Sequence, residues 1–155
     1  MISLLNGQDC TLDAKGRVLI PGALKKQLMP VLNEGFIIKR CMFQQCLELY
    51  PRPVWDKQMR QISKLNRFIK KNNDFIRLFM AGVHEVELDS SGRLQIPRDL
   101  VLFAEFKADI VLASQSEFLE IWDKVKYEAF NSSSESIDKE KLAEDVMGNI
   151  SIVDD

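Results

Sequence analysis

The chain has 155 residues, 46% of them hydrophobic, with 21 basic and 23 acidic side chains and a formal charge of −2. That length holds one ordinary domain or two small ones, and that apolar content excludes a wholly disordered chain. No run approaches the roughly 18 apolar residues of a membrane span, and Met1 to Gly7 lacks the basic start and apolar stretch of a secretory signal, so a cytoplasmic protein is expected.

A repeat organises the elements. Leu12-Asp13-Ala14-Lys15-Gly16-Arg17-Val18-Leu19-Ile20-Pro21 returns 76 residues later as Leu88-Asp89-Ser90-Ser91-Gly92-Arg93-Leu94-Gln95-Ile96-Pro97. Farther along, Leu47-Glu48-Leu49-Tyr50 returns as Leu119-Glu120-Ile121-Trp122 at an offset of 72. Each copy reads as strand, tight turn, strand, helix and a closing pair of strands. In the turns, Asp13 and Asp89 can accept from their own backbone, and Gly16 and Gly92 accept a left-handed conformation. Alternation then puts Val18 and Ile20 inside with Arg17 and Leu19 outside, and likewise Leu94 and Ile96 inside with Arg93 and Gln95 outside. Pro21 and Pro97 suit the first position of the helices expected over 22–29 and 98–106. Short apolar strands follow at 36–39 and 110–113, and closing strands at 47–50 and 118–122.

Between the copies, Trp55, Met59, Ile62, Leu65 and Ile69 recur at spacings of three and four, predicting a helix over 54–70. Asn72-Asn73 is expected to interrupt it before a short helix to Met80, ended by Gly82. A helix over 123–130, a polar linker over 131–136, a last helix capped by Ser136 and reaching Met147, and a frayed end from Asn149 complete the reading. The expected layout is a first module over 7–53, a basic helical connector over 54–82, a second module over 83–126 and an acidic helical tail over 127–155.

The small net charge is an average. Residues 1–77 carry 14 basic and 6 acidic side chains, whereas residues 78–155 carry 7 and 17. Such asymmetry points to contact with nucleic acid, a membrane surface or an oppositely charged partner. Catalysis finds no support: there is one histidine, His84, and neither G-x-x-x-x-G-K-[ST] nor G-x-G-x-x-G is present. Cys10, Cys41 and Cys46 lack C-x-x-C spacing, and with His84 they do not make a zinc pattern, so no metal, no cofactor, no small-molecule substrate and reduced thiols are expected. Glu48 and Glu120 sit between apolar strand residues and read as outward-facing. The repeated Asp-x-x-x-Arg is the informative feature. An arginine at the base of a rigid hairpin is a planar, fixed donor suited to phosphate and guanine edges. Lys15, Lys25, Lys26, Lys39 and Arg40 add a basic field and possible phosphate contacts around the first copy.

The paired D-x-x-G-R-[VL]-x-I-P blocks, with L-E-L-Y-P-R-P-V-W after the first, A-G-V-H-E-V-E-L-D before the second and F-L-E-I-W-D after it, resemble the repeated module of the MraZ family in the AbrB/SpoVT swapped-hairpin superfamily. The resemblance covers about residues 1–130. It implies an α+β, mainly β fold in which a tandem pair of swapped-hairpin modules forms a pseudo-dimer barrel within one chain, with peripheral helices. It also implies a nucleoid-associated transcriptional regulator that forms a ring-shaped homo-oligomer on double-stranded DNA. Its sites would be short direct repeats upstream of the division and cell-wall gene cluster, its own promoter included. Carried over by position, Lys15, Arg17 and Arg93 would face DNA, while Asp13, Gly16, Asp89 and Gly92 would shape the hairpins. The second turn has Ser90-Ser91 in place of Ala14-Lys15, and residues 84–123 hold 3 basic and 9 acidic side chains, so the first copy is expected to dominate DNA contact. The competing expectation is an oligomeric interaction scaffold or antitoxin-like partner without specific DNA binding.

Overall fold

The computed structural model describes Leu4 and residues 7–148, in two compact units that divide after Lys124. In the first unit, strand β1 (Gln8–Thr11) leads through the first turn to β2 (Arg17–Leu19) and helix α1 (Gly22–Leu28). A 3-10 segment (Met29–Glu34), β3 (Phe36–Arg40) and β4 (Leu47–Pro51) complete the first copy. The connector carries α2 (Arg52–Ile62) and α3 (Lys70–Phe79). The second copy repeats the order with β5 (His84–Val86), β6 (Arg93–Gln95), α4 (Arg98–Ala104), β7 (Asp109–Ser114) and β8 (Leu119–Asp123).

The strands interleave. Six of them form one antiparallel sheet in the order β1-β7-β8-β4-β3-β5, and β2 pairs with β6 as a separate ribbon. Thus β1 of the first copy adds to the sheet of the second, and β5 of the second adds to that of the first. The register obeys the same near-twofold: Cys10 opposes Ile110 as Val86 opposes Phe36, and Gln8 opposes Leu112 as His84 opposes Ile38. The axis passes through the central β4–β8 pair, where Glu48 stands opposite its own counterpart Glu120. The expected swapped pseudo-dimer is therefore present, but the barrel is not. β1 and β5 are open edges, because β2 and β6 pair with each other instead of with their own copies' leading strands; just past those strands a single bridge remains in each copy, Leu12–Val18 and Leu88–Leu94.

One face of the sheet and the ribbon enclose the main core. Its members come in matched pairs: Val18 with Leu94, Ile20 with Ile96, Leu24 with Leu100, and Leu49 with Ile121, all buried. Truncating any of these to Ala costs about 2–5 kcal/mol through lost burial and a residual cavity. On the other face Ile37, Tyr50, Val54 and Trp55 form a second cluster, with Phe79 and Phe118 packed against it. Phe118 stacks on Tyr50 at 4.6 Å and Phe79 on Trp55 at 5.6 Å.

Several local expectations are corrected. Pro21 and Pro97 are N-caps rather than first helical residues. Their ψ values of 144° and 140° are extended, and their carbonyls accept the first helical bonds, from Lys25 and Val101. The connector helix ends at Ile62, not 70: Lys64 and Leu65 donate to carbonyls three residues back, at 3.1 and 3.0 Å, and farther on Asn66 Oδ1 takes the Phe68 N–H in a local turn (2.9 Å). Asn72 and Asn73 lie inside α3 instead of breaking it. Their amides donate back to the Asn66 and Arg67 carbonyls at 3.0 and 2.7 Å, tying the first turn of α3 to the loop before it.

In the second unit, the expected polar linker is helical: α5 (Lys124–Ser133) runs into a 3-10 turn (Ser134–Ser136). Ser133, Ser134 and Ser136 donate their hydroxyls to carbonyls three residues back, which keeps serines inside helical backbone. Asp138, not Ser136, caps the last helix α6 (Lys139–Met147) by accepting the Lys141 N–H at 3.0 Å. The frayed end expected from Asn149 lies outside the described residues. No described helix is long and apolar enough to cross a membrane.

Candidate nucleic-acid interface

The two D-x-x-G-R turns are built alike. In the first, Asp13 Oδ1 accepts the Lys15 and Arg17 N–H groups, both at 2.9 Å, and Gly16 donates to the Asp13 carbonyl with φ +78°. In the second, Asp89 Oδ1 accepts from Ser91 and Arg93, again at 2.9 Å, and Gly92 sits at φ +80°. The backbone N–H of Arg17 is the main cause holding the Asp13 carboxyl below its ordinary value, and that of Arg93 does the same for Asp89. Both carboxylates are therefore ionised acceptors whose turns are set before any ligand arrives. Asp13, Gly16, Asp89 and Gly92 occupy the turn positions assigned to them from sequence.

The ribbon brings the arginines together. Arg17 opposes Gln95, Leu19 opposes Arg93, and the buried pair Val18–Leu94 lies between. Alternation then places Arg17, Leu19, Arg93 and Gln95 on one outer face. The two copies thus contribute to a single surface, not to two separate ones. The hairpins also lock each other: Ile20 donates to the Gly92 carbonyl (3.1 Å) and Ile96 to that of Gly16 (2.9 Å). Gln95 Nε2 donates to the Lys15 carbonyl at 2.7 Å. The arginines differ in one respect. Arg17 Nε holds Asp13 Oδ2 at 3.0 Å, whereas Arg93 gives Asp89 its backbone N–H alone.

The surrounding cations divide into two groups. Lys15 is exposed on its turn, Lys26 is exposed on α1, and Lys25 reaches across to the turn of the other copy, where a Cβ on Gly92 would meet its Nζ at 3.2 Å. Lys39 is a correction. Its side chain is 0% exposed, with Nζ on Glu48 at 3.1 Å, on the Arg40 carbonyl at 2.6 Å and 4.4 Å from the Phe79 ring centre. It cannot reach a phosphate. Arg40 is half-buried with its guanidinium 4.9 Å from the Phe103 ring centre. Sequence reasoning missed Arg98, which lines a depression of about 320 Å³ with Lys15, Gly16 and Gln95. The available signal was its place directly after I-P in the second copy.

His84 Nε2 sits 3.1 Å from Asp99, and that contact is the main reason the Asp99 carboxyl lies below its ordinary range, so this histidine has a structural partner. Glu48 and Glu120 do not point freely outward. They oppose one another, and the Glu48 side chain, 13% exposed, also accepts from the Tyr50 hydroxyl at 3.1 Å.

The sequence profile of the MraZ protein family, which carries an antitoxin-like label, matches residues 4–78 and again 79–149. The chain belongs to the MraZ family. Relatives named transcriptional regulator MraZ include that of Christiangramia forsetii, 56% identical over 149 residues and covering 96% of each chain. That of Flavobacterium psychrophilum is 53% identical over 97% of this chain and 95% of its own. That of Clostridium tetani is 33% identical over 85% of this chain and 88% of its own. The two profile matches meet at residues 78 and 79, at the end of α3, so each match holds one copy of the repeat.

Proposed function

We propose that this MraZ-family chain is a DNA-binding transcriptional regulator, not an enzyme, acting from the cytoplasm and nucleoid on the division and cell-wall gene cluster and on its own promoter. The observation that carries this reading is the shared outer face of the β2–β6 ribbon, where one arginine from each copy stands on a backbone already fixed by its aspartate. A two-stranded antiparallel ribbon fits the major groove, and arginine pairs with guanine edges or phosphate there. Arg17 and Arg93 are assigned to DNA, with Lys15, Lys25, Lys26 and Arg98 on flanking phosphates. Short direct repeats as targets match a ring-shaped homo-oligomer that presents several ribbons in succession. The basic residues 1–77 and acidic residues 78–155 supply complementary surfaces for head-to-tail contacts between copies.

The test is fluorescence anisotropy of the protein against the DNA upstream of its own gene, at two salt concentrations. Affinity falls steeply with salt because cationic contacts release counterions. Arg17→Ala weakens binding while circular dichroism stays native, and unchanged affinity in that variant would refute the assignment. The antitoxin-like label of the family profile favours a second reading, capture of a protein partner. A stoichiometric protein partner together with no DNA binding at low salt selects it.

A further inference from the structure

The face of the sheet opposite the ribbon holds a cluster that the DNA-binding reading leaves unused. Cys41 and Cys46 flank the β3–β4 hairpin, joined by a Cys41 N–H to Cys46 carbonyl bond of 2.9 Å, and both thiols are buried. Glu120 reaches them from β8 of the other copy. One ligand atom from each of the three residues, two sulfurs and a carboxylate oxygen, lies within 4.8 Å of the others. We propose that Cys41, Cys46 and Glu120 form a binding site for a single thiophilic divalent ion of the zinc class.

The charges support a cation. Glu48 and Glu120 oppose each other directly, and like charges in that position destabilise a sheet. Glu48 has Lys39 at 3.1 Å to balance it. Glu120 receives a neutral donor, Trp122 Nε1, at 3.0 Å. That bond also fixes one carboxylate oxygen in place, as outer-shell donors do around metal ligands. Thiolates select soft and borderline ions over magnesium and calcium, and two sulfurs with one carboxylate leave the fourth tetrahedral position to water. Binding is an exchange: two S–H bonds are lost, two metal–sulfur bonds form, and two protons leave to solvent. An entry route exists, because Cys41 lines an open cleft of about 450 Å³ with Arg40, Met42, Phe43 and Leu78. The near-twofold counterparts of the two cysteines are Gln115 and Phe118, so the site occurs on one copy only while drawing its third ligand from the other.

The experiment titrates the full-length protein, kept reduced by a phosphine, with cadmium as the optical probe and zinc as competitor. The expected result is a thiolate-to-cadmium charge-transfer band that saturates at one equivalent and is reversed by zinc. Cys41→Ser and Cys46→Ser abolish the band, Cys10→Ser retains it, and Glu120→Gln weakens affinity at least about tenfold. Alkylation of the wild-type chain provides a readout free of folding defects: zinc protects two of the three thiols. No saturable band, a band surviving in the Cys41/Cys46 double variant, or thiols alkylated equally fast with and without zinc would each overturn the proposal.

Discussion

Replacing Lys39 by Met removes the cation from the middle of the sheet without changing side-chain volume much. Its ammonium is wholly buried and gives up two contacts, to Glu48 at 3.1 Å and the Arg40 carbonyl at 2.6 Å, together with the Phe79 ring face. Glu48 then remains in the sheet opposite Glu120 with the Tyr50 hydroxyl as its donor. Breaking one side of a buried ion pair costs about 3–5 kcal/mol, chiefly through the charge left behind. Urea unfolding followed by the fluorescence of the buried Trp55 and Trp122 should show that loss, and Lys39→Met with Glu48→Gln should recover more than half of it. The same variant, studied under conditions where it is folded, keeps the salt dependence of DNA binding, whereas removal of a true phosphate contact would lower the slope by about 0.9. A loss below about 1 kcal/mol, or a reduced salt slope, would refute the buried-pair argument.

Other perturbations separate function from folding. Arg93→Ala is expected to weaken specific DNA binding by about 1–3 kcal/mol, as Arg17→Ala does, because both stand on one ribbon face; anisotropy on matched and scrambled sites measures it. Gly82→Ala should destabilise by about 2–5 kcal/mol: the residue lies at φ +72°, and a new Cβ would meet Leu100 Cδ2 at 2.8 Å and Arg40 at 3.0 Å. Gly22→Ala, with nothing within 4 Å, should instead gain about 0.4–1 kcal/mol in the same denaturation assay. The carboxyls of Asp13 and Asp89 are held below the ordinary value of 3.8, so their contribution is complete above that value and disappears as pH falls through the lower folded value. Acid titration of Asp13→Asn with Asp89→Asn should show a flatter low-pH limb than wild type.

Much of the fold was legible because the repeat supplied each element twice. Val18 and Leu94 alternate with arginines in both copies, so the inner and outer faces of β2 and β6 followed from period two alone. What alternation could not supply was pairing across copies. The resemblance implied a swap between the copies, but composition and alternation around Arg17 do not say that its strand pairs with β6, and the joint arginine face follows from that pairing. Lys39 was misread for a related reason. A lysine at the end of an apolar strand looks exposed until the strand opposite places Glu48 beside it and α3 lays Phe79 over it. The Asn72-Asn73 pair looked like a break because asparagine competes for backbone groups, and here it does so in the service of the helix start.

The exchange of leading strands has a mechanical consequence for the chain as a whole. A cut in the exposed connector between Ser63 and Ile69 would not release two finished halves. Each fragment would lack a sheet edge that only the other provides, so they should stay associated through β1–β7, β3–β5 and the ribbon. Folding would then become a bimolecular reaction, with a melting temperature that rises with concentration. Two fragments expressed apart should reconstitute on mixing, which makes the connector a natural place to split the protein into complementing parts.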